Sequence, residues 1–378
     1  MTTSQTRPHP FSARSLFIAG ASVLALAVGA GAAAAAGYSV HPLVTDDQTV
    51  LATLPYGPAP TVDPALINPW DITATPKGGW VVANAGGPGV GAPGTATVYS
   101  SAGAIVRSTV SVPEGSGPPY GPTGAVTVIG DGFMMPDGQP ALYLFCNLDG
   151  SISGWDGASK ARTIVAGRGP EGNLAAYTGM EVAASGGATY LYAANGITGA
   201  IDVFDTSFSK LTLAGAFVDP GPNPDGLVPF NIENLDAGHL WVTYAKPGPG
   251  ASGAKIGQGF VSVFNLDGTF VRRFASGGTL SSPWGLAMAP ANFGKFSNDV
   301  LIGNFNDGPR LGFISAFDPT TGEFRGLLRE GAAPIILPGL WGMHFGAGSR
   351  SSLMYFAAGI GAEQHGLFGT ISLAGSPD

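Results

Sequence analysis

The chain has 378 residues, of which 44% are hydrophobic and 11% charged, enough apolar material to bury a sizeable core. A net charge of −8 and the lack of any Lys/Arg cluster exclude nucleic acid and anionic membrane surfaces as natural partners. A single cysteine, Cys146, excludes an intramolecular disulfide, so stability must come from burial and chain closure.

Residues 1–36 read as an export signal. Arg7 and Arg14 form the positive end, Leu16 to Ala36 is apolar and rich in small residues, and Ala34-Ala35-Ala36 offers a cleavage site. A retained anchor is the alternative, since the apolar stretch is about twenty residues long. No cysteine lies near the site to carry a lipid, and no adjacent arginine pair marks the twin-arginine route. Cleavage places the mature protein in the periplasm or outside the cell, without a membrane partner.

Tyr38 to Val44 alternates like a strand but belongs to no later pattern, and residues 45–67 read as a surface connection. From residue 68 onward the chain repeats. The opening phrase is Pro69-Trp70-Asp71-Ile72, then Pro122-Thr123-Gly124-Ala125, Tyr177-Thr178-Gly179-Met180, Pro229-Phe230-Asn231-Ile232, Pro283-Trp284-Gly285-Leu286 and Leu340-Trp341-Gly342-Met343. An aromatic column follows in the same order at Tyr99, Trp155, Phe204, Phe264 and Phe317, with Ile371 in the last copy. A third column holds Asn84, Asn147, Asn195 and Asn304, with Ala245 and Ala358 in the other two copies.

Each copy carries four short β-branched and aromatic runs separated by Gly, Pro, Asp and Asn, with no long helical period. Four strands per unit of about fifty residues predict a β-propeller blade; the coils of a parallel β-helix would be much shorter. The expectation is an all-β, six-bladed propeller over 68–378, with blades near 68–115, 120–170, 175–222, 228–278, 281–332 and 338–375. The sixth copy ends at Gly366 to Leu373 without a fourth strand. Tyr38 to Val44 is the strand that would complete it and hide both sheet edges. Gly86 to Gly94, Pro220 to Gly226 and Lys246 to Gly257 are loops by composition.

The phrases Asn68-Pro69-Trp70, Tyr192-Ala193-Ala194-Asn195, Ala200-Ile201-Asp202-Val203-Phe204-Asp205, Ala289-Pro290-Ala291-Asn292-Phe293-Gly294 and His365-Gly366-Leu367-Phe368-Gly369 resemble those of a family of exported bacterial six-bladed propellers. That resemblance spans nearly all of the mature chain and implies the fold, but no reaction. More distantly the blades are similar to NHL-repeat and gluconolactonase-type propellers. The latter resemblance implies a central divalent cation held by Glu, Asn and Asp, several of them at inner-strand openings, where hard oxygen ligands suit such an ion. Here those openings hold Trp70, Thr123, Thr178, Phe230, Trp284 and Trp341, none of which is a carboxylate or amide. The gluconolactonase site does not carry over.

A different polar set remains. Asp71 and Asn231 stand at the Gly position of the phrase, and Glu181, Glu233 and His344 two residues further on, where other copies have Thr73, Val126 or Ala287. Positions two apart on a strand share a face, so these side chains should converge near the channel mouth where the inner strands start. Glu181 and Glu233 from adjacent blades would form a carboxylate pair sharing a proton or a cation. The competing reading is local bonding, each Glu to backbone N–H and the His within the core.

The Asn column is read as structural, with left-handed backbone and bonds to its own turn, as for Asp149-Gly150 and Asp307-Gly308. The aromatic column and Cys146 are read as packing. His239, His344 and His365 lack metal-ligand spacing, and no nucleophile elbow, phosphate loop or EF-hand occurs.

Two functional classes follow. One is a binding scaffold that takes a protein, glycan or small molecule at one propeller face. The other is a hydrolase or lactonase-like enzyme at the polar set, for which a divalent cation is the only cofactor the residues suggest. Fold alone chooses neither. Glu181 and Glu233 within about 6 Å and open to a pocket would favour the enzyme; carboxylates buried apart on backbone N–H groups would favour the scaffold.

Overall fold

The computed structural model describes residues 37–86, 94–113, 121–128, 132–167, 175–247, 255–305 and 312–376. Residues 1–36, expected to be an export signal, the interior of the Gly86 to Gly94 loop, most of Lys246 to Gly257 and the Asp307-Gly308 turn lie outside the described residues.

Each predicted run forms a strand, and six antiparallel sheets follow one another along the chain. The inner strands are Pro69–Ala74, Pro122–Thr127, Tyr177–Ser185, Val228–Glu233, Pro283–Met288 and Leu340–Phe345, each beginning one copy of the repeated phrase. Neighbouring inner strands touch in sequence order, and the sixth returns to the first, which closes a six-bladed ring.

The sixth blade is completed as expected. Tyr38–Thr45 pairs antiparallel with Leu367–Leu373, from Tyr38 opposite Leu373 to Thr45 opposite Leu367. Tyr38 also reaches the fifth blade, its hydroxyl donating to the Phe293 carbonyl at 2.9 Å and its ring stacking on Phe296 at 6.0 Å. One element was not foreseen: Thr61–Val62 adds to Tyr38–Thr45 in parallel as a fifth strand. Residues 45–67 are therefore more than a surface connection. Asp47 caps a short helix, Gln48–Leu51, and Leu51 and Leu66 are buried. The buried Asp63 accepts the Tyr99 hydroxyl at 2.8 Å.

Every inner strand is bulged near its start, the register slipping between Pro69 and Asp71, and likewise in the other five. Without a bulge, the second and fourth residues of the phrase would face the same way. The bulge separates them. The fourth residues, Ile72, Ala125, Met180, Ile232, Leu286 and Met343, enter six separate cores. Four of the second residues, Trp70, Phe230, Trp284 and Trp341, meet in a seventh cluster.

The aromatic column packs in those six cores. Tyr99, Trp155, Phe204, Phe264, Phe317 and Ile371 are all buried, and each large apolar side chain so removed from water is worth about 1.5–3 kcal/mol. Cys146 is fully buried, which pushes its thiol up to about 12 and leaves it an inert core residue.

The Asn column bonds its own turns at Asn147 and Asn195, but without the expected left-handed backbone. None of the four residues has a positive φ; in the neighbouring turns Gly150 and Gly199 take that role. Asn195 Oδ1 accepts the N–H groups of Ala176, Ile197 and Thr198, and Asn304 Oδ1 that of Ser281. These side chains pin the second strand to the segment that enters the inner strand, a task that needs an amide rather than a left-handed backbone.

Candidate functional site

The start of the inner strands is closed by aromatic rings. Trp341 is the hub, stacked on Trp70 at 3.7 Å and on Phe305 at 4.0 Å, with Phe230 and Trp284 meeting it edge-on at 5.8 Å each. Trp284 Nε1 donates across the ring to the Thr178 carbonyl at 2.8 Å. The polar residues therefore do not gather at this mouth, as the sequence suggested. They line the axis beyond the plug, in cavities bounded by residues at and past the ends of the inner strands, such as Thr127, Asn234 and Phe345.

Directly behind the plug lies the third residue of each phrase. Both Asp71 oxygens are engaged, Oδ1 accepting Ile72 N–H at 2.8 Å and Oδ2 accepting Ala125 N–H of the next blade at 2.9 Å. Asn231 donates to the Trp284 carbonyl at 3.1 Å and to Glu233 Oε1 at 3.3 Å. These polar side chains fit because the neighbouring copies have glycine. A Cβ on Gly179 would stand 2.0 Å from Asn231 Oδ1, and one on Gly342 would stand 3.0 Å from Asp71 Oδ1.

The fifth residues complete the site. Glu181 Oε1 accepts Val182 N–H at 2.7 Å, and Oε2 accepts Asn234 N–H of the next blade at 3.0 Å. The Glu181 and Glu233 carboxyl groups hydrogen-bond each other. His344 Nε2 lies 3.9 Å from Asp71 Oδ1 and 4.0 Å from Glu233 Oε1.

Burial pushes the Glu233 carboxyl well above its ordinary value, and the negative charges of Glu181 and Asp71 add to the effect. Burial also raises Glu181, but the Asn234 and Val182 N–H groups and His344 oppose it. Both carboxyls are thus biased toward the protonated form, Glu233 the more strongly because fewer N–H groups oppose its burial.

Two adjoining cavities, about 110 and 220 Å³, share Glu181, Glu233 and His344 as walls. The structure brings all five sequence-selected residues together, with Asn231 behind Glu233 rather than on a cavity wall. It also adds Thr73 and Thr127, whose hydroxyls lie 2.9 Å apart on one wall. Thr73 looked like background at its repeat position, and Thr127 lies one residue past it in the next copy; only the interblade contact marks the pair.

His239 and His365 are elsewhere, paired with Asp236 at 3.0 Å and Asp46 at 2.7 Å. Among the described residues no three His, Cys, Asp or Glu side chains are arranged to hold a metal ion. Asp71 and Glu181 each accept one N–H group on each oxygen, and without a third side chain in metal-ligand arrangement no step is derived through a divalent cation. The Glu181–Glu233 test divides: the pair is in contact and borders cavities, as an enzyme needs, yet Glu181 also bonds backbone, as a scaffold would.

Fold and site together define a six-bladed β-propeller with a carboxyl pocket on its axis. The chain belongs to the same family as proteins L690 and R648 of Acanthamoeba polyphaga mimivirus. It is 32% identical to L690 over 82% of this chain and 81% of the relative, and 31% identical to R648 over 82% and 76%. Neither name carries an activity. No protein-family profile matches the chain. Among solved structures, the Penicillium chrysogenum alpha-L-arabinanase complexed with arabinobiose aligns with a TM-score of 0.53 and 10% identity over 90% of this chain and all of that one, a likeness of fold alone.

Proposed function

We propose that this protein is an exported binding propeller whose axial pocket takes a small, neutral, polyhydroxylated ligand. The observation that carries this reading is the Glu181–Glu233 pair facing the shared cavities. A carboxyl that can donate, one that can accept, and the Thr73 and Thr127 hydroxyls nearby, which can do either, match the hydroxyl groups of such a ligand. The cavities suit a ligand of monosaccharide size rather than a polymer.

Export is part of the proposal, and the bacterial resemblance of the sequence phrases supports it. The first paired residue of the ring, Tyr38, follows the Ala34-Ala35-Ala36 site by a single glycine. N-terminal sequencing of the secreted product should begin at Gly37. A product beginning at Met1 would remove export from the reading.

The binding test is a thermal-shift and calorimetric panel of monosaccharides and linear polyols against matched amines and carboxylates. Binding to the native state alone raises the melting temperature with ligand concentration. Polyols should do so for the parent chain and fail with a Glu181→Gln, Glu233→Gln double variant. A response confined to amines would overturn the neutral-ligand reading.

A second reading, a hydrolase or lactonase-like enzyme, is favoured by one feature. Glu233 is placed as an acid and Glu181 as a base, with His344 within 4.0 Å of the former. A lactone and ester panel, run beside elemental analysis of the purified protein, tests it. Turnover abolished by Glu233→Gln would support it, and absence of both turnover and metal would retire it for those substrates.

A further inference from the structure

A second cavity lies off the axis, between blades one and two. It is about 620 Å³, within the roughly 300–1,000 Å³ typical of small-molecule clefts. Its rim is the turn that follows the first inner strand, Thr75 to Gly79, facing the ends of strands Thr95–Tyr99 and Ile152–Trp155. Pairing of Trp80 with Tyr99, and of Thr127 with Tyr143 and Tyr143 with Trp155, puts this groove on the face where the inner strands end.

The groove is apolar but carries charge of one sign. Tyr143 and Trp155 form a buried aromatic pair at 5.3 Å, while Val106 and Leu142 leave 64% and 44% of their surface in solvent. Exposed aliphatic side chains grouped in a concave site mark a surface awaiting a partner more than scattered ones do. The charged lining residues are Lys77, which is exposed, and Arg107, whose guanidinium lies 5.3 Å over the Trp155 ring and donates to the Gly157 carbonyl. Among the described residues no Asp or Glu lines the groove. In a chain of net charge −8 this is a local reversal of sign.

We propose that this groove binds an anionic amphiphile, a carboxylate on a medium-length alkyl chain. The alkyl chain would lie against Val106 and Leu142, with its carboxylate toward Lys77 and the Arg107 guanidinium. The site is independent of the axial pocket and stands if that reading fails.

Calorimetric titration of the mature protein with decanoate, decylamine and decanol, each below its micelle concentration, tests it. Decanoate should bind saturably, and decylamine at least about tenfold more weakly, since a hydrogen bond to a charged group is worth that much. Lys77→Glu should weaken decanoate by about the same factor and leave decanol unchanged. Leu142→Asp should abolish both. Lys77 and Leu142 are exposed, so neither variant threatens the fold. No saturable decanoate binding, equal affinity for decylamine, or indifference to Leu142→Asp would each overturn the proposal.

Discussion

The two ends of the propeller axis are built from the same six strands, yet one is a plug of aromatic rings and the other a pocket of carboxyl groups. The second residue of the phrase supplies the plug, the third and fifth the pocket, and the bulge between them lets both sets face the axis. The contrast shows how a ring of copies separates tasks. One end excludes water and holds the blades together, so the other can bury acids that would destabilise an ordinary core.

Removing the hub of the plug should have the largest effect. Trp341 is fully buried and touches four other rings, so Trp341→Ala should cost about 3–5 kcal/mol, read as a fall in the denaturation midpoint. A loss below about 1 kcal/mol would mean that the rings fill the axis without bearing on its closure. Next is the glycine layer between the two ends. Gly179→Ala forces a Cβ against Asn231 Oδ1 and should cost about 1–3 kcal/mol; Gly342→Ala, with a 3.0 Å approach to Asp71, should cost less. The reverse order would show that the layer yields more easily around Asn231 than around Asp71.

Much of this was readable in the residues. The repeated phrase, with Trp70 and Trp341 at matched positions, is enough to predict six blades, because a strand that must bury both faces announces itself in composition and spacing. The incomplete sixth copy similarly points to Tyr38 as the start of the closing strand. The polar set was legible as departures from the repeat, since Glu181, Glu233 and His344 replace small or apolar residues at one position. Which mouth they occupy was not, because a bulge changes facing without leaving a mark in the pattern. The Thr73–Thr127 contact and the charge of the groove around Lys77 arise between blades, where sequence order says nothing about which side chains meet.

The smallest of these effects is also the most diagnostic of the pocket. Glu233 has a folded-state pKa raised well above its unfolded one, so between the two the native state holds more protons than the unfolded chain. Its contribution to stability is therefore full below the unfolded value, near 4.5, and is lost as pH rises through the folded one. Stability of the parent should fall with pH across that window, with a slope of at most about 1.4 kcal/mol per pH unit for one proton. Glu233→Gln keeps the shape and the hydrogen bond to Glu181 but removes the titration, so its profile should be flatter. Because the two titrate as a pair, Glu181 is then the carboxyl of the pair left to titrate. Denaturation curves at several pH values compare the two proteins directly. Parallel profiles would mean that Glu233 titrates as it does in water, and the contrast between a dry plug and a proton-holding pocket would lose its chemical half.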